Sequence, residues 1–347
     1  MTALSDSIGI KALDRDAVER LVHDAGHPGY RADQLIRWLY RRAVSSYDEM
    51  SDLPAELRDQ LTDLMPISVP ELITRQVSQA DGTRKYLWRL ADGVTVESVG
   101  LPEGRRLTVC FSTQAGCAMG CSFCATGRDG FVRDLGCGEM VDQVTFVGRD
   151  FGQRVTNAVA MGQGEPFANY DASLAALRLM NDSDGPGIGA RHLTVSTCGL
   201  VHGINRFADE PEQFTLAVSL HSAVQSTRDD LMPGVRGASL TALHAALAAY
   251  GARTGRRPTL EYALIAGVND SDDELAALVG FCRELHCHVN LIPVNPVKDG
   301  TFRRSESGRV IKFRDALQRS GTEASIRSER GADIDAACGQ LRQRQET

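Results

Sequence analysis

From Arg106 onward the chain repeats one pattern, a short apolar run followed by a longer stretch with helical spacing. The runs are Leu107 to Ser112, Asn157 to Met161, His192 to Ser196, Thr215 to Leu220, Thr259 to Ile265, His288 to Pro293 and Ala324 to Arg327. Strands joined by helices pair in parallel, because each helix carries the chain back along the sheet, so the pattern predicts an α/β fold. Six or seven such units predict a partial or full (β/α) barrel, whose functional residues gather where the strands end.

Upstream the periodicity differs. Apolar positions recur at helical spacing in Ala17-Val18-Leu21-Val22, Leu35-Ile36-Leu39-Tyr40 and Leu57-Leu61-Leu64, with breaks at Gly26 to Gly29 and Ser51 to Pro54. This predicts a small helical module over residues 1–70. Two Asp-Gly pairs, Asp81-Gly82 and Asp92-Gly93, then separate runs rich in Val, Thr, Tyr and Trp. Asp-Gly supplies the positive φ angles of a tight hairpin turn. Residues 71–105 are therefore read as a β-hairpin linker, 106–322 as the barrel core and 323–347 as a C-terminal strand and loop.

With 42% hydrophobic and 24% charged residues in 347, the chain can bury a large core, which excludes a disordered protein. No segment approaches the roughly 18 apolar residues of a membrane helix. Met1 to Ile10 has neither the basic end nor the apolar run of a secretory leader, so a cytoplasmic protein without membrane contact is expected. Nine cysteines are too few for a disulfide scaffold of this length and lean toward metal or redox chemistry. A net charge of -7 argues against broad, non-specific nucleic-acid binding while leaving room for a local basic surface.

The loop after the first barrel strand reads Gln114-Ala115-Gly116-Cys117-Ala118-Met119-Gly120-Cys121-Ser122-Phe123-Cys124. Thiolates are soft ligands, and a compact loop can aim all three at one metal centre. Tetrahedral zinc needs a fourth ligand, and none is adjacent. Three thiolates on a 4Fe–4S cluster instead leave one iron open for a substrate. Glycines 116 and 120 allow the backbone to wrap closely.

The spacing Cys-x3-Cys-x-Phe-Cys resembles the signature of radical S-adenosylmethionine (SAM) enzymes. Further segments narrow the resemblance: Val109-Cys110-Phe111, Met161-Gly162-Gln163-Gly164-Glu165-Pro166, Ser196-Thr197, Ser219-Leu220-His221, Asn290 to Pro296 and Arg330 to Leu341. Together they are similar to the RNA adenine methyltransferases of the RlmN/Cfr family over nearly the whole chain. The resemblance implies that Cys117, Cys121 and Cys124 hold a 4Fe–4S cluster. It also implies that SAM, two molecules per turnover, is bound by Gly164, Glu165, Ser196, Ser219, Leu220, His221, Asn295 and Phe123. Cys338 would accept a methyl group from the first SAM and carry it to the base, Cys110 would release the product by forming a disulfide with Cys338, and Glu97 would accept a proton. The substrate implied is an adenosine of 23S rRNA, methylated at C2, with tRNA next to the anticodon as a second target. A flavodoxin or ferredoxin would supply electrons, and a monomer is expected.

Each residue has a plainer reading. Free cysteine is among the most buried residue types, so Cys338 and Cys110 would be packing residues without this context. Cys137, Cys198, Cys282 and Cys287 are read as structural. The Cys282, His286, Cys287, His288 group mimics a zinc site, and a helix-to-strand junction accounts for it. Arg37, Arg41 and Arg42 with Trp38 and Tyr40 read either as an RNA-binding patch or as a solvated helix face over a core tryptophan. Gln163, Cys198 and Ala332 depart from the family pattern, where methionine, serine and aspartate are usual. They keep open C8 methylation, which confers antibiotic resistance, and a metal-stabilised RNA-binding protein without activity remains the alternative from another class.

Overall fold

A computed structural model describes residues 9–295, 302–336 and 339–341. Three helices open it: α1 (Arg15–Asp24), α2 (Tyr30–Ile36) and α3 (Ala55–Leu64). The Asp14 side chain caps α1 by accepting from Ala17 N, satisfying a helix-end donor that would otherwise lack a partner. An antiparallel meander follows, β1 (Glu71–Val77), β2 (Arg84–Arg89), β3 (Thr95–Glu103) and β4 (Arg106–Cys110), turning at both Asp-Gly pairs. A small hairpin of β5 (Gln114–Gly116) and β6 (Phe131–Asp134) brackets the short helix α4 (Ala125–Asp129).

The chain then alternates: α5 (Cys137–Phe151), β7 (Asn157–Ala160), α6 (Tyr170–Asn181), β8 (Leu193–Thr197), α7 (Val201–Phe207), β9 (Thr215–Ser219), α8 (Gln225–Leu231), α9 (Leu240–Thr254), β10 (Thr259–Leu264), α10 (Asp272–Cys282), β11 (His288–Pro293), α11 (Ser307–Arg319) and β12 (Glu323–Ile326). All seven apolar runs are strands. The sheet has ten strands in the order β1-β2-β3-β4-β7-β8-β9-β10-β11-β12, parallel from β4 onward. Among the described residues β1 and β12 are its edges, so the barrel is partial. The meander is continuous with this sheet through the β3–β4 pairing.

Side chains alternate across a strand, and β10 shows what this does. Leu260, Tyr262 and Leu264 are fully buried on one face, where Tyr262 meets Phe313 of α11. The opposite face carries Thr259, Glu261 and Ala263. Glu261 lies in register with Ser219 of β9 and Asn290 of β11, and Asn290 with Ser325 of β12. The outer face builds the core under the helices and the inner face builds a polar lumen.

The N-terminal helices dock on α5 and α6. Lys11 Nζ donates to Asp142 Oδ1 of α5 at 2.7 Å, with both side chains buried, and Arg15 pairs with Asp182 and Asp184 beyond α6. A π-helical turn, Arg37–Arg41, extends α2 and buries Trp38, Leu39 and Tyr40 in succession. Trp38 Nε1 donates to Asp52, Tyr40 Oη donates to Lys11 O, and Arg37 pairs with Asp184 at 2.6 Å. Of the two readings of this segment the core-tryptophan one agrees with the structure and the stacking patch is corrected: both aromatic rings are core, and the exposed cations are Arg41 and Arg42.

Candidate active site

The three cysteines sit in the loop between β5 and α4, where the chain must turn tightly. Gly116 has φ +73°, and a Cβ there would lie 2.0 Å from Gly130 O, so only glycine fits between the two arms of the hairpin. Cys117, Cys121 and Cys124 line one wall of a cleft of about 980 Å³, open mouth included, at the C-terminal ends of the parallel strands. Gly164, Glu165, Ser196, Ser219, His221, Asn295 and Phe123 share that cleft. Leu220 does not. Its side chain is fully buried in the core, and its amide donates to Glu261 O.

Glu165 is buried, with Oε2 accepting from Cys198 N at 2.6 Å and Oε1 from Phe167 N at 2.9 Å. Burial raises its pKa, while the amides of Cys198 and Phe167 oppose the rise. Two main-chain donors thus orient a carboxylate along the wall of the cleft. The strand end before it needs glycine: Gly164 has φ +102°, and a Cβ there would meet Gln114 Cβ at 2.6 Å. His221 Nδ1 accepts from Ala263 N at 2.9 Å, and its ring meets Phe123 edge-on at 4.7 Å. Burial, reinforced by Arg228, lowers its pKa to about 3, so the imidazole is neutral with Nε2–H as its donor. Asn295 Oδ1 is buried without a partner among the described residues.

A second cleft adjoins the first, the two sharing Met161, Ile292, Asn295, Arg327 and Gly339. Cys110, Val99, Ala336 and Leu341 line it, and Cys110 pairs directly across the sheet with Val99. The C-terminal segment folds over the cysteine loop: Ala125 N donates to Gly339 O at 2.7 Å and Thr126 Oγ1 to Leu341 O at 2.9 Å. Cys338 lies outside the described residues. Glu97 lines neither cleft. It shares the Val99 face of β3, is buried, and its Oε1 lies 3.6 Å from Lys85 Nζ.

Two residues here escaped sequence reading. Glu261 forms part of the cleft floor, 6% exposed, with Oε2 accepting from Asn290 Nδ2 at 2.7 Å. A lone carboxylate within an apolar strand run was the available signal. Arg228 is buried behind the strand ends, and its polar helix gave none. The zinc-like group does not converge: His286 is exposed, His288 bonds Ser325 at 2.9 Å, and no three His, Cys, Asp or Glu side chains among the described residues are placed to hold a single metal ion.

Residues 8–67 match the ribosomal RNA large subunit methyltransferase N-terminal domain, and residues 111–279 match the radical SAM superfamily. Over 342 residues the chain is 45% identical to a protein of Pelotomaculum thermopropionicum that bears the name probable dual-specificity RNA methyltransferase RlmN, covering 98% of this chain and 93% of the relative. The chain belongs to the RlmN family. The RlmN of Synechococcus elongatus is 46% identical over 328 residues, covering 93% and 90%. The crystal structure of a radical SAM methyltransferase from Sphaerobacter thermophilus shares the fold with a TM-score of 0.91 at 43% identity, covering 97% of this chain and all of that one.

As a radical SAM protein this RlmN-family chain uses a 4Fe–4S cluster and SAM, and the cleft fits both. Burial raises the Cys117 thiol to about 11 and pushes Cys121 further up, so thiolates there need the positive charge of bound iron. The unpartnered Asn295 Oδ1 and the carboxylate of Glu165 offer acceptors beside them, as an ammonium-bearing ligand requires.

Proposed function

We propose that this protein methylates C2 of an adenosine in the peptidyl-transferase region of 23S rRNA, and of the adenosine next to the anticodon in tRNAs. One observation carries the reading. Cys110 lines a cleft together with Ala336 and Gly339, the described residues that flank Ala337 and Cys338, and this cleft opens into the one that Cys117, Cys121 and Cys124 line.

In this reading Cys117, Cys121 and Cys124 hold the cluster. Glu165 accepts from the ammonium of SAM, with Gly164, Ser196, Ser219, His221 and Asn295 completing the site, Phe123 packing beside it and Leu220 contributing main chain. When bound, cluster and SAM supply a 5′-deoxyadenosyl radical. Cys338 takes a methyl group from a first SAM and presents it to the base as S-methylcysteine, because the adenine carbon and the methyl of SAM are both electrophilic and do not combine directly. The methyl carbon gives up one hydrogen atom to that radical and bonds the base, Glu97 accepts the proton lost from the base, and the surplus electron of the adduct would return to the cluster. Cys110 releases the product: its sulfur bonds the sulfur of Cys338, the bond from Cys338 sulfur to the transferred carbon breaks, and that carbon keeps the electron pair and takes up a proton. Residues 1–70 serve as the RNA-binding accessory domain, 71–105 as the connecting meander, 106–322 as the core and 323–347 as the arm bearing Cys338. The monomeric cytoplasmic enzyme draws electrons from a flavodoxin or ferredoxin. No helix among the described residues is long and apolar enough to cross a membrane.

The test is nucleoside mass spectrometry of rRNA and tRNA from a methylase-deficient bacterial host expressing this chain. 2-Methyladenosine in both supports the proposal, 8-methyladenosine overturns the regiochemistry, and neither product overturns the activity. Cys110→Ala is expected to trap a covalent protein–RNA adduct. An adduct that persists in Cys110→Ala with Cys338→Ala would remove Cys338 from its role.

A further inference from the structure

The helix α8 and the turn after it clamp the three-cysteine loop from behind. Ser122 donates to Leu231 O through both its amide, at 2.9 Å, and its hydroxyl, at 3.3 Å, and Gly234 N donates to Met119 O at 2.8 Å. Arg228 of α8 is 1% exposed, among the largest side chains fully buried within the described residues. Its Nη1 donates to Ser219 O at 2.8 Å and Leu220 O at 2.5 Å and lies 3.2 Å from Met232 Sδ, while Nη2 donates to Cys198 O at 2.5 Å. Every one of these partners is neutral, and none of the ion pairs among the described residues involves Arg228.

Buried arginine is normally paired with an anion, because desolvating a charge is costly and neutral carbonyls return only part of the loss. The charge of Arg228 reaches Cys198, Cys121 and the partly exposed Asp229. Cys198, whose carbonyl Arg228 holds, brings its Sγ to 3.3 Å from Met119 Sδ of the cysteine loop. The strong anion that this position can serve is therefore the one that the cysteine loop holds when loaded.

We propose that Arg228 is an electrostatic positioning residue for the cluster, its buried and unpaired charge making one-electron reduction of the cluster more favourable. The inference rests on the assignment of Cys117, Cys121 and Cys124 as the cluster ligands. A cluster held by three thiolates is already anionic. One electron from a low-potential donor adds a further negative charge, with no bond made or broken, and a fixed cation in a dry environment favours that added charge. The carbonyls that Arg228 holds belong to the ends of β8 and β9, where Ser196 and Ser219 sit, so the same side chain links the cluster wall to the SAM wall.

The test compares the full chain, reconstituted anaerobically, as wild type, Arg228→Lys and Arg228→Gln. It uses dithionite potentiometric titrations followed by electron paramagnetic resonance, iron and sulfide analysis, and circular dichroism for the fold. Arg228→Gln is expected to lower the equilibrium constant for reduction at least about tenfold, a midpoint about 59 mV more negative, while Arg228→Lys stays with the wild type. Loss of the cluster in Arg228→Gln alone also supports the charge role. An unchanged potential in a loaded Arg228→Gln, equal shifts in both variants, or loss of the cluster in both overturns it in favour of a plain anchor for the strand ends. A wild-type protein without iron and sulfide would sink the cluster reading itself, a result distinct from any of these.

Discussion

The joint between the helical module and the barrel rests on the Lys11–Asp142 pair, and its cost can be worked out. Side-chain exposure is 6% for Lys11 and 3% for Asp142, at 2.7 Å. The Lys11 ammonium also lies 5.8 Å from the Tyr40 ring centre in the module and 5.6 Å from Phe146 on α5. Burial pushes Asp142 up to about 6 although Lys11 pulls it down, so desolvation outweighs the pairing. Lys11→Met keeps the length and removes the charge, leaving a buried carboxylate alone. Breaking a buried pair from one side costs about 3–5 kcal/mol, whereas replacing both partners by apolar residues is nearly neutral. Urea unfolding is read at Trp38 in the module and Trp88 in the sheet, both buried. At pH 8 Lys11→Met is expected to lose about 3 kcal/mol, and Lys11→Met with Asp142→Leu to recover most of it. The folded pKa of Asp142 lies above the ordinary value of about 3.9, so the native state binds more protons between the two values and this group's contribution to stability rises as pH falls from about 6 toward 4. Lys11 pulls this pKa down, so Lys11→Met raises it further; the variant then gains more than the wild type as pH falls, and its deficit should shrink in acid. A deficit below about 1 kcal/mol at pH 8, or one indifferent to pH, would refute the reasoning.

Three further outcomes are open to measurement. Glu165→Gln is expected to weaken SAM binding about 10- to 100-fold by equilibrium dialysis, the worth of a hydrogen bond to a charged group at about 1.5–3 kcal/mol; unchanged affinity would place SAM elsewhere. Glu261→Gln should raise the melting temperature at pH 8 by an amount worth about 1 kcal/mol, because burial raises the carboxyl pKa and stability from this group is gained only on protonation. The gain should fade in acid, and a lower melting temperature at pH 8 would contradict it. Trp38→Ala should cost about 3–5 kcal/mol while leaving the salt dependence of RNA binding intact, as befits a core residue.

The strands were legible because each is a short apolar run between helical stretches: Thr215 to Leu220 is observed as Thr215–Ser219, and Thr259 to Ile265 as Thr259–Leu264. The cysteine loop was legible because its glycines and thiols are local. What escaped is set by tertiary contact. Gln225-Ser226-Thr227-Arg228-Asp229-Asp230 reads as a solvated face, and only the carbonyls at the ends of β8 and β9 make Arg228 a buried residue. Trp38 and Tyr40 left two readings open because a regular α-helix does not bury three successive residues on one face. The π-helical turn shifts the phase and does so. Register was equally hidden, and it decides that Glu261 faces the lumen and Tyr262 the helices.

The departures at Gln163, Cys198 and Ala332 differ in what they can change. At Gln163 the main-chain contacts do not depend on the side chain: its carbonyl accepts from Thr113 N at 2.8 Å and Gln114 N at 3.2 Å, and its amide donates to Ser112 Oγ. Its buried side chain does differ from methionine, with Oε1 accepting from Glu97 N at 3.4 Å and Nε2 lacking a partner among the described residues. Ala332 stands beside Asp333, whose carboxylate accepts from Gln79 N at 3.1 Å and ties this turn to the meander. Cys198 also contributes an amide, the one that holds Glu165, and serine would offer the same amide. Its side chain differs: it lines the cleft with Sγ 3.3 Å from Met119 Sδ of the cysteine loop. Thiol against thioether is a soft, weakly hydrogen-bonding contact where serine would bring a stronger donor. Cys198 thus alters the chemistry beside the cysteine loop and Gln163 the surroundings of Glu97, while Ala332 falls where a neighbouring group carries the contact.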